Sequence, residues 1–167
     1  MARALLVYGL VLGAGIAAGQ GAAAGQATVR VAPSRLQGPH VLAEQTEQGA
    51  IRDYLEAWKA MRAALDQNQP GLLNVDFVGT AKDKLTETIH EQAAAGIHTQ
   101  YRDRAHNLQI IFYSPEGLSI ELIDTVDYDV QVFDHDHSVS TKQIHARYVV
   151  LLTPAEVRWR VRVLQAE

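Results

Sequence analysis

The chain has 167 residues, of which 47% are hydrophobic and 20% charged, and its formal net charge is -4. Those values suit one globular domain with a terminal appendage, are too apolar for a disordered chain, and argue against a general nucleic-acid binder, whose phosphate contacts need a basic face. With no cysteine the chain has no disulfide, no thiolate zinc site, no cysteine nucleophile and no lipoprotein attachment point.

Arg3 precedes an uncharged apolar run, "ALLVYGLVLGAGIAA" (Ala4 to Ala18), and then "GQGAAAGQA", made almost wholly of small residues. This is the three-part pattern of a secretory signal peptide, with small residues that allow cleavage after Ala24 or Ala27. The run is short of the roughly 20 apolar residues of a membrane span. Residues 1–24 are therefore expected to be a signal peptide or a short N-terminal anchor. The expected location is exported: periplasmic or secreted, or tethered to a membrane at the N-terminus. Residues 25–44 are aperiodic and contain Pro33, Gly38 and Pro39, the composition of a flexible tether. Residues 45–167 form the folded domain, and there is no internal repeat.

Ile51, Tyr54, Leu55, Trp58, Met61 and Leu65 recur at helical spacing and predict an amphipathic helix. It ends in "NQPG", because Pro70 cannot continue a helix. A second helix is expected from Ala81 to about Ala95, with Thr80 as its cap, Asp83 three residues on, and Gly96 as its stop. Beyond Gly96 the hydrophobic period becomes two, predicting strands near 99–114, 117–133, 140–153 and 156–165. "YSPEGL" is a hairpin turn with Gly117 in the left-handed position. It sets Phe112 opposite Ile120 and Ile110 opposite Leu122. In the next hairpin Val130 would face Ile144, Tyr128 face Ala146 and Val126 face Tyr148, with Asp129 beside His145 and the loop centred on His137. "TPAE" would pair Val150 with Trp159 and Tyr148 with Val161, leaving Arg147 beside Arg162. The fold class is α+β: N-terminal helices packed on the apolar face of a curved antiparallel sheet of four or more strands.

Four features could carry chemistry. "FDHDHS", Phe133 to Ser138, alternates imidazole with carboxylate and falls at a hairpin tip. His135 and His137 are candidate metal ligands there, and a solvated Asp-rich turn is the alternative. "VRWRVRV" puts arginine at every second position of the last strand. It reads as a surface for acidic partners, or as a solvated face compensated by Glu121, Asp127 and Asp129. Asp124 lies by alternation on the apolar face, between Leu108 and Val150, with His106 on the same face beside Val126. Asp124, His106 and Tyr128 are thus candidate catalytic groups for general acid–base work; the alternative is that Asp124 bonds backbone or a helix residue. Trp58, Tyr54, Tyr148 and Trp159 could line a ligand pocket or simply pack helix on sheet. No Gly-rich phosphate loop, HExxH or Ser-His-Asp order is present, and no cofactor is expected.

"YLEAWKAMRAAL", the second helix ending at Gly96, and the closing "RYVVLLTPAEVRWRVRVLQ" together resemble the nuclear-transport-factor-2-like (NTF2-like) superfamily, with its SnoaL-like and ketosteroid isomerase-like members. The first and last of these stretches are also loosely similar to the IMS-type domains of membrane-tethered plastid-division proteins. The resemblance spans roughly Gln45 to Gln165 and implies a cone of curved sheet closed by helices around a pocket. It does not imply catalysis, because the superfamily holds both enzymes and members that only bind or dimerise. Its isomerase-like members use an Asp base and a Tyr donor in the cone, which places Asp124 and Tyr128 on the corresponding face. Two functions are thus expected. One is a non-catalytic, exported or tethered domain binding a protein partner or small apolar ligand, as a homodimer through the sheet. The other is a small SnoaL- or isomerase-type enzyme with Asp124 as general base.

Overall fold

The computed structural model describes residues 26–36 and 41–167. The expected signal or anchor, residues 1–24, lies outside the described residues. The elements are β1 (Thr28–Val31), α1 (Glu44–Gln67), a 3-10 turn (Pro70–Leu73), α2 (Gly79–Ala94), β2 (Ile97–Tyr113), β3 (Ile120–Asp134), β4 (His137–Pro154) and β5 (Trp159–Ala166). The strands form one open sheet in the order β1-β2-β3-β4-β5, antiparallel throughout β2–β5. The α+β class holds.

The sheet has a fifth strand. Within the segment read as a tether, Thr28–Val31 pairs parallel with Ala105–Leu108 at the sheet edge. All four of its residues are exposed, so no burial period marks them in the sequence.

α1 lies across the inner face of the sheet. Ala50, Tyr54, Ala57, Trp58, Met61 and Leu65 are buried along one stripe, the i, i+3, i+4 pattern of a helix that stays in place through packing. They meet Leu108, Ile110, Leu122, Val126, Val150 and Leu152, all at most 1% exposed. Burying side chains of this size contributes about 1.5–3 kcal/mol each before entropy is subtracted. The helix begins with Glu44 and Glu47 in its first turn, where acids suit the positive end of the dipole. It stops at Asn68, which takes the left-handed conformation (φ 52°) and returns its N–H to the Ala64 carbonyl. The Asn68 amide also donates to the Ile97 carbonyl at 2.8 Å, and the buried Gln92 of α2 donates to Leu65 and Asn68. The three-way junction of α1, α2 and β2 is thus fastened by amides.

Thr80 does not cap α2. The helix starts two residues earlier than expected, at Gly79, and the Thr80 hydroxyl donates instead to the Arg162 carbonyl of β5. Gly96 ends α2 at φ 70° and Gly117 takes φ 71° in the first hairpin, as expected. In that hairpin Ile110 faces Leu122, but a bulge at Ile111 moves Phe112 opposite Glu121. The β3–β4 register is displaced by two residues: Val126 pairs with Ala146, Tyr128 with Ile144 and Asp127 with His145. Two local features cause it: at the tip His135, at φ 53°, allows a two-residue turn, His135–Asp136, in place of a loop centred on His137, and the extra residue Val139 of β4 then moves the register back by one. A slip of two keeps every side chain on its face. The last hairpin departs further. Its turn runs to Arg158, β5 starts at Trp159, and Val150 meets Leu164 while Leu152 meets Val161. The Trp159 N–H is held at 2.8 Å by Asp53, a buried carboxylate on α1, which fixes where β5 begins.

Candidate functional site

Asp124 is fully buried on β3, beside Leu108 of β2 and Tyr148 of β4. Its Oδ2 accepts two hydrogen bonds: one from the Tyr54 hydroxyl of α1 at 2.8 Å, and one from His106 Nδ1 at 2.6 Å. Its Oδ1 is buried without a hydrogen-bond partner among the described residues. The other ring nitrogen, His106 Nε2, lies 3.8 Å from Asp103 Oδ2. Asp103 in turn accepts from the Trp58 indole N–H at 2.9 Å and pairs with Arg62 at 2.6 Å. Tyr54, Trp58 and Arg62 occupy one face of α1, at helical spacing, and drop onto three acidic or basic groups of β2 and β3.

Asp103 and His106 are three residues apart on one strand, so strict alternation would send them to opposite faces. A bulge resolves this. Asp103 pairs with Tyr128 and Ala105 with Asp127, leaving Arg104 as the extra residue. Before the bulge Thr99, Tyr101 and Asp103 face inward, and after it His106, Leu108 and Ile110 do so. A bulge of this kind re-aims a side chain, and here it puts two titratable groups on one side.

Charge follows geometry. Burial disfavours the His106 imidazolium, but hydrogen bonds and charge from Asp103 and Asp124 outweigh it and raise the ring to about 9. Burial likewise disfavours the Asp103 carboxylate, yet His106, Trp58 and Arg62 hold it below its ordinary value. At neutral pH His106 is therefore an imidazolium and Asp103 a carboxylate, with Asp124 and Arg62 as their respective partners. Burial first, then the Asp124 charge, hold the Tyr54 hydroxyl well above its ordinary value.

Tyr128 is not part of this set. Its hydroxyl meets that of Tyr148 at 2.9 Å, and burial and that contact raise it strongly. Both rings pack edge-on against Trp58, with centroids 5.9 and 5.5 Å apart, and His106 packs on it in the same manner at 5.2 Å. The inner space of the cone near Trp58 is filled by these rings. Trp159 is half-buried against the core, away from them.

The open space lies outside this aromatic layer. A groove of about 1060 Å³ runs between α1 and the β1–β2 edge, with an apolar lining of Val29, Val31, Ile51, Leu55, Trp58 and Tyr101. His106 and Asp103 reach its floor. Of the four residues expected around a pocket, Trp58 lines this groove; Tyr54, Tyr148 and Trp159 do not. Asp103 and Arg62, which complete the polar set, were not singled out in the sequence. Only the helical spacing of Arg62 from Trp58 pointed toward it, and the bulge hid Asp103.

Elsewhere the polar motifs are used within the chain. His135 is exposed and bonds its neighbour Asp134 at 2.7 Å, and His137 is exposed at the start of β4. Among the described residues no group of three or more His, Cys, Asp or Glu could hold a metal ion. On the outer face Arg104 pairs with Asp129, His145 with Asp127 and Arg147 with Glu167. Arg158 pairs with Asp76, and Arg160 donates to the Asn74 and Phe77 carbonyls. Among the described residues no helix is long and apolar enough to cross a membrane.

Neither the family models nor the curated proteins contain a match to this chain. Solved structures do match. The intermembrane-space region of the chloroplast protein ARC6 is 13% identical, with a TM-score of 0.61 over 76% of this chain and 98% of that one. A candidate scytalone dehydratase from Novosphingobium aromaticivorans is 15% identical, with a TM-score of 0.52 over 75% and 89%. Aln2 from a Streptomyces species is 10% identical, with a TM-score of 0.50 over 77% and 93%. At these identities the likeness is one of fold.

Proposed function

For this chain, which has the NTF2-like cone fold, we propose a non-catalytic binding domain, exported or membrane-tethered, that holds the apolar part of a small ligand in the groove between α1 and the β1–β2 edge. The observation that carries this reading is that the titratable groups beneath the groove are directed at one another rather than into the open space. At neutral pH His106 is an imidazolium with each N–H directed at a carboxylate, so it offers no base. Asp103 has an indole and a guanidinium as partners, and Asp124 Oδ2 has two donors. Among the described residues, what lies above them is an apolar trough whose volume is at the upper end for small-molecule sites. Export or tethering is supported by the charged start, apolar run and small-residue stretch of residues 1–24.

The test is native mass spectrometry of untagged protein purified from an exporting host. A small lipophilic mass retained 1:1 by the wild type and lost in Leu55→Asp is the expected result. A bare protein that gains no mass with an excess of apolar probes would overturn the reading.

One observation favours a catalytic alternative: Asp124 Oδ1 is buried without a partner, directly behind a histidine on the groove floor. In that case His106 donates a proton to the ligand through Nε2 and Asp124 positions it. Turnover that Asp124→Asn abolishes, without loss of ligand binding, would establish this alternative in place of the first.

A further inference from the structure

The groove is electrically polar along its length. α1 contributes Glu44 and Glu47 at one end and Lys59 and Arg62 at the other, where Arg102 of β2 joins them. Lys59 is paired with Glu56 at 2.7 Å, an exposed contact of the kind worth little in water. Arg62 uses Nη1 on Asp103, and its Nε is buried without a partner among the described residues. Arg102 is exposed and forms no side-chain hydrogen bond or ion pair among the described residues. Three cations, Lys59, Arg62 and Arg102, thus stand at this end beside Glu56 and Asp103, with Asp66 beyond them. At the other end Arg52 is turned onto Asp53, and Glu44 and Glu47 are left to set the sign. Between the ends lies the apolar trough. From Glu47 to Lys59 it follows α1 for about 18 Å at the rise of an α-helix. A second hollow of about 340 Å³ shares Lys59, Arg62 and Tyr101 with it and is lined by Asp66 as well.

From this charge pattern we infer that the ligand is a long-chain carboxylate, an amphiphile with one extended alkyl chain and one negative charge. The inference rests on the groove being the binding site. The head lies among Lys59, Arg62 and Arg102, where a guanidinium fork matches a carboxylate. The chain extends over Tyr101, Leu55 and Ile51 toward Val29 and Val31 of β1. The reverse orientation sets the head against Glu44 and Glu47. A carboxylate meets these cations directly; a neutral alcohol of equal length gains only the burial of its chain.

Equilibrium dialysis of the full chain against laurate, 1-dodecanol and hexanoate, at low and high salt, tests this. Laurate is expected to bind 1:1, at least tenfold tighter than dodecanol and far tighter than hexanoate. Its affinity, unlike that of dodecanol, should fall as salt screens the head. Lys59→Gln combined with Arg102→Gln, both at exposed positions, should weaken laurate at least fivefold and leave dodecanol unchanged. Leu55→Asp should weaken both. Dodecanol binding as tightly as laurate, or a double variant that still distinguishes the two as the wild type does, would overturn the carboxylate and leave the groove reading standing. Binding of neither by the wild type would overturn both.

Discussion

Asp124→Asn is the substitution that most directly probes the buried ion network. The amide has the shape of the carboxylate, and its oxygen can take the place of Oδ2, still accepting from Tyr54 and His106. Its NH₂ then lies where Oδ1 already has no partner. What the variant removes is the charge. In the wild type His106 is raised from 6.5 to about 9, so the folded state keeps a proton that the unfolded chain loses. Between those two values the unfolded state binds fewer protons, and stability falls as pH rises. The contribution is fully present below about pH 6.5 and gone above about pH 9. At 1.36 kcal/mol per pH unit the total is about 3 kcal/mol. Urea unfolding of both proteins from pH 5.5 to 9.5 reads it. The wild type should lose about 3 kcal/mol across the window. Asp124→Asn should start about 1.5–3 kcal/mol lower at pH 6, the size of a hydrogen bond to a charged group, and show a shallower alkaline loss that is not flat, because Asp103 still faces the ring. Equal slopes for the two proteins, or a flat wild-type profile, would refute the coupling of His106 to Asp124.

The hydroxyl pair Tyr128–Tyr148 gives a double-mutant test. Either single change to Phe leaves one hydroxyl short of a partner and should cost about 1–2 kcal/mol in urea, whereas the double change should cost no more than either single one. Gly117→Ala should destabilise by about 1–2 kcal/mol in thermal unfolding, because φ is 71° and the new methyl would lie 3.1 Å from the Tyr113 hydroxyl. His135→Ala combined with His137→Ala should leave Zn²⁺ and Ni²⁺ uptake in equilibrium dialysis unchanged, since the tip is exposed and the His135 ring bonds the neighbouring Asp134.

Much of this was legible in the sequence. The stripe from Tyr54 to Leu65 fixed one face of α1, and alternation put Asp124 and His106 inward, opposite Leu108 and Val126 as the structure has them. Registers were harder. In β3–β4 a shift of two leaves the apolar pattern intact, and it arises from the tight turn at His135–Asp136 together with the extra residue Val139, neither of which an apolar period marks. In β4–β5 the start of the strand depends on Asp53, distant in sequence. β1 buries nothing and so carries no period. Asp103 was hidden for the opposite reason: one bulged residue, Arg104, inverts the parity that sequence reading relies on. The position of the open space was not legible either. Tyr54, Trp58 and Tyr148 look like pocket residues by type, but packed against one another they fill the cone and displace the cavity to its flank.

The most direct measurement of the central claim is a backbone amide shift map on titration with laurate. Binding in the groove predicts perturbations confined to residues 26–31, to the outer face of α1 from Glu44 to Arg62, and to Tyr101–His106, with Tyr128, Tyr148 and the outer sheet face unmoved. Perturbations centred on Tyr128 and Tyr148, or spread over the outer face around Asp127 and His145, would contradict it.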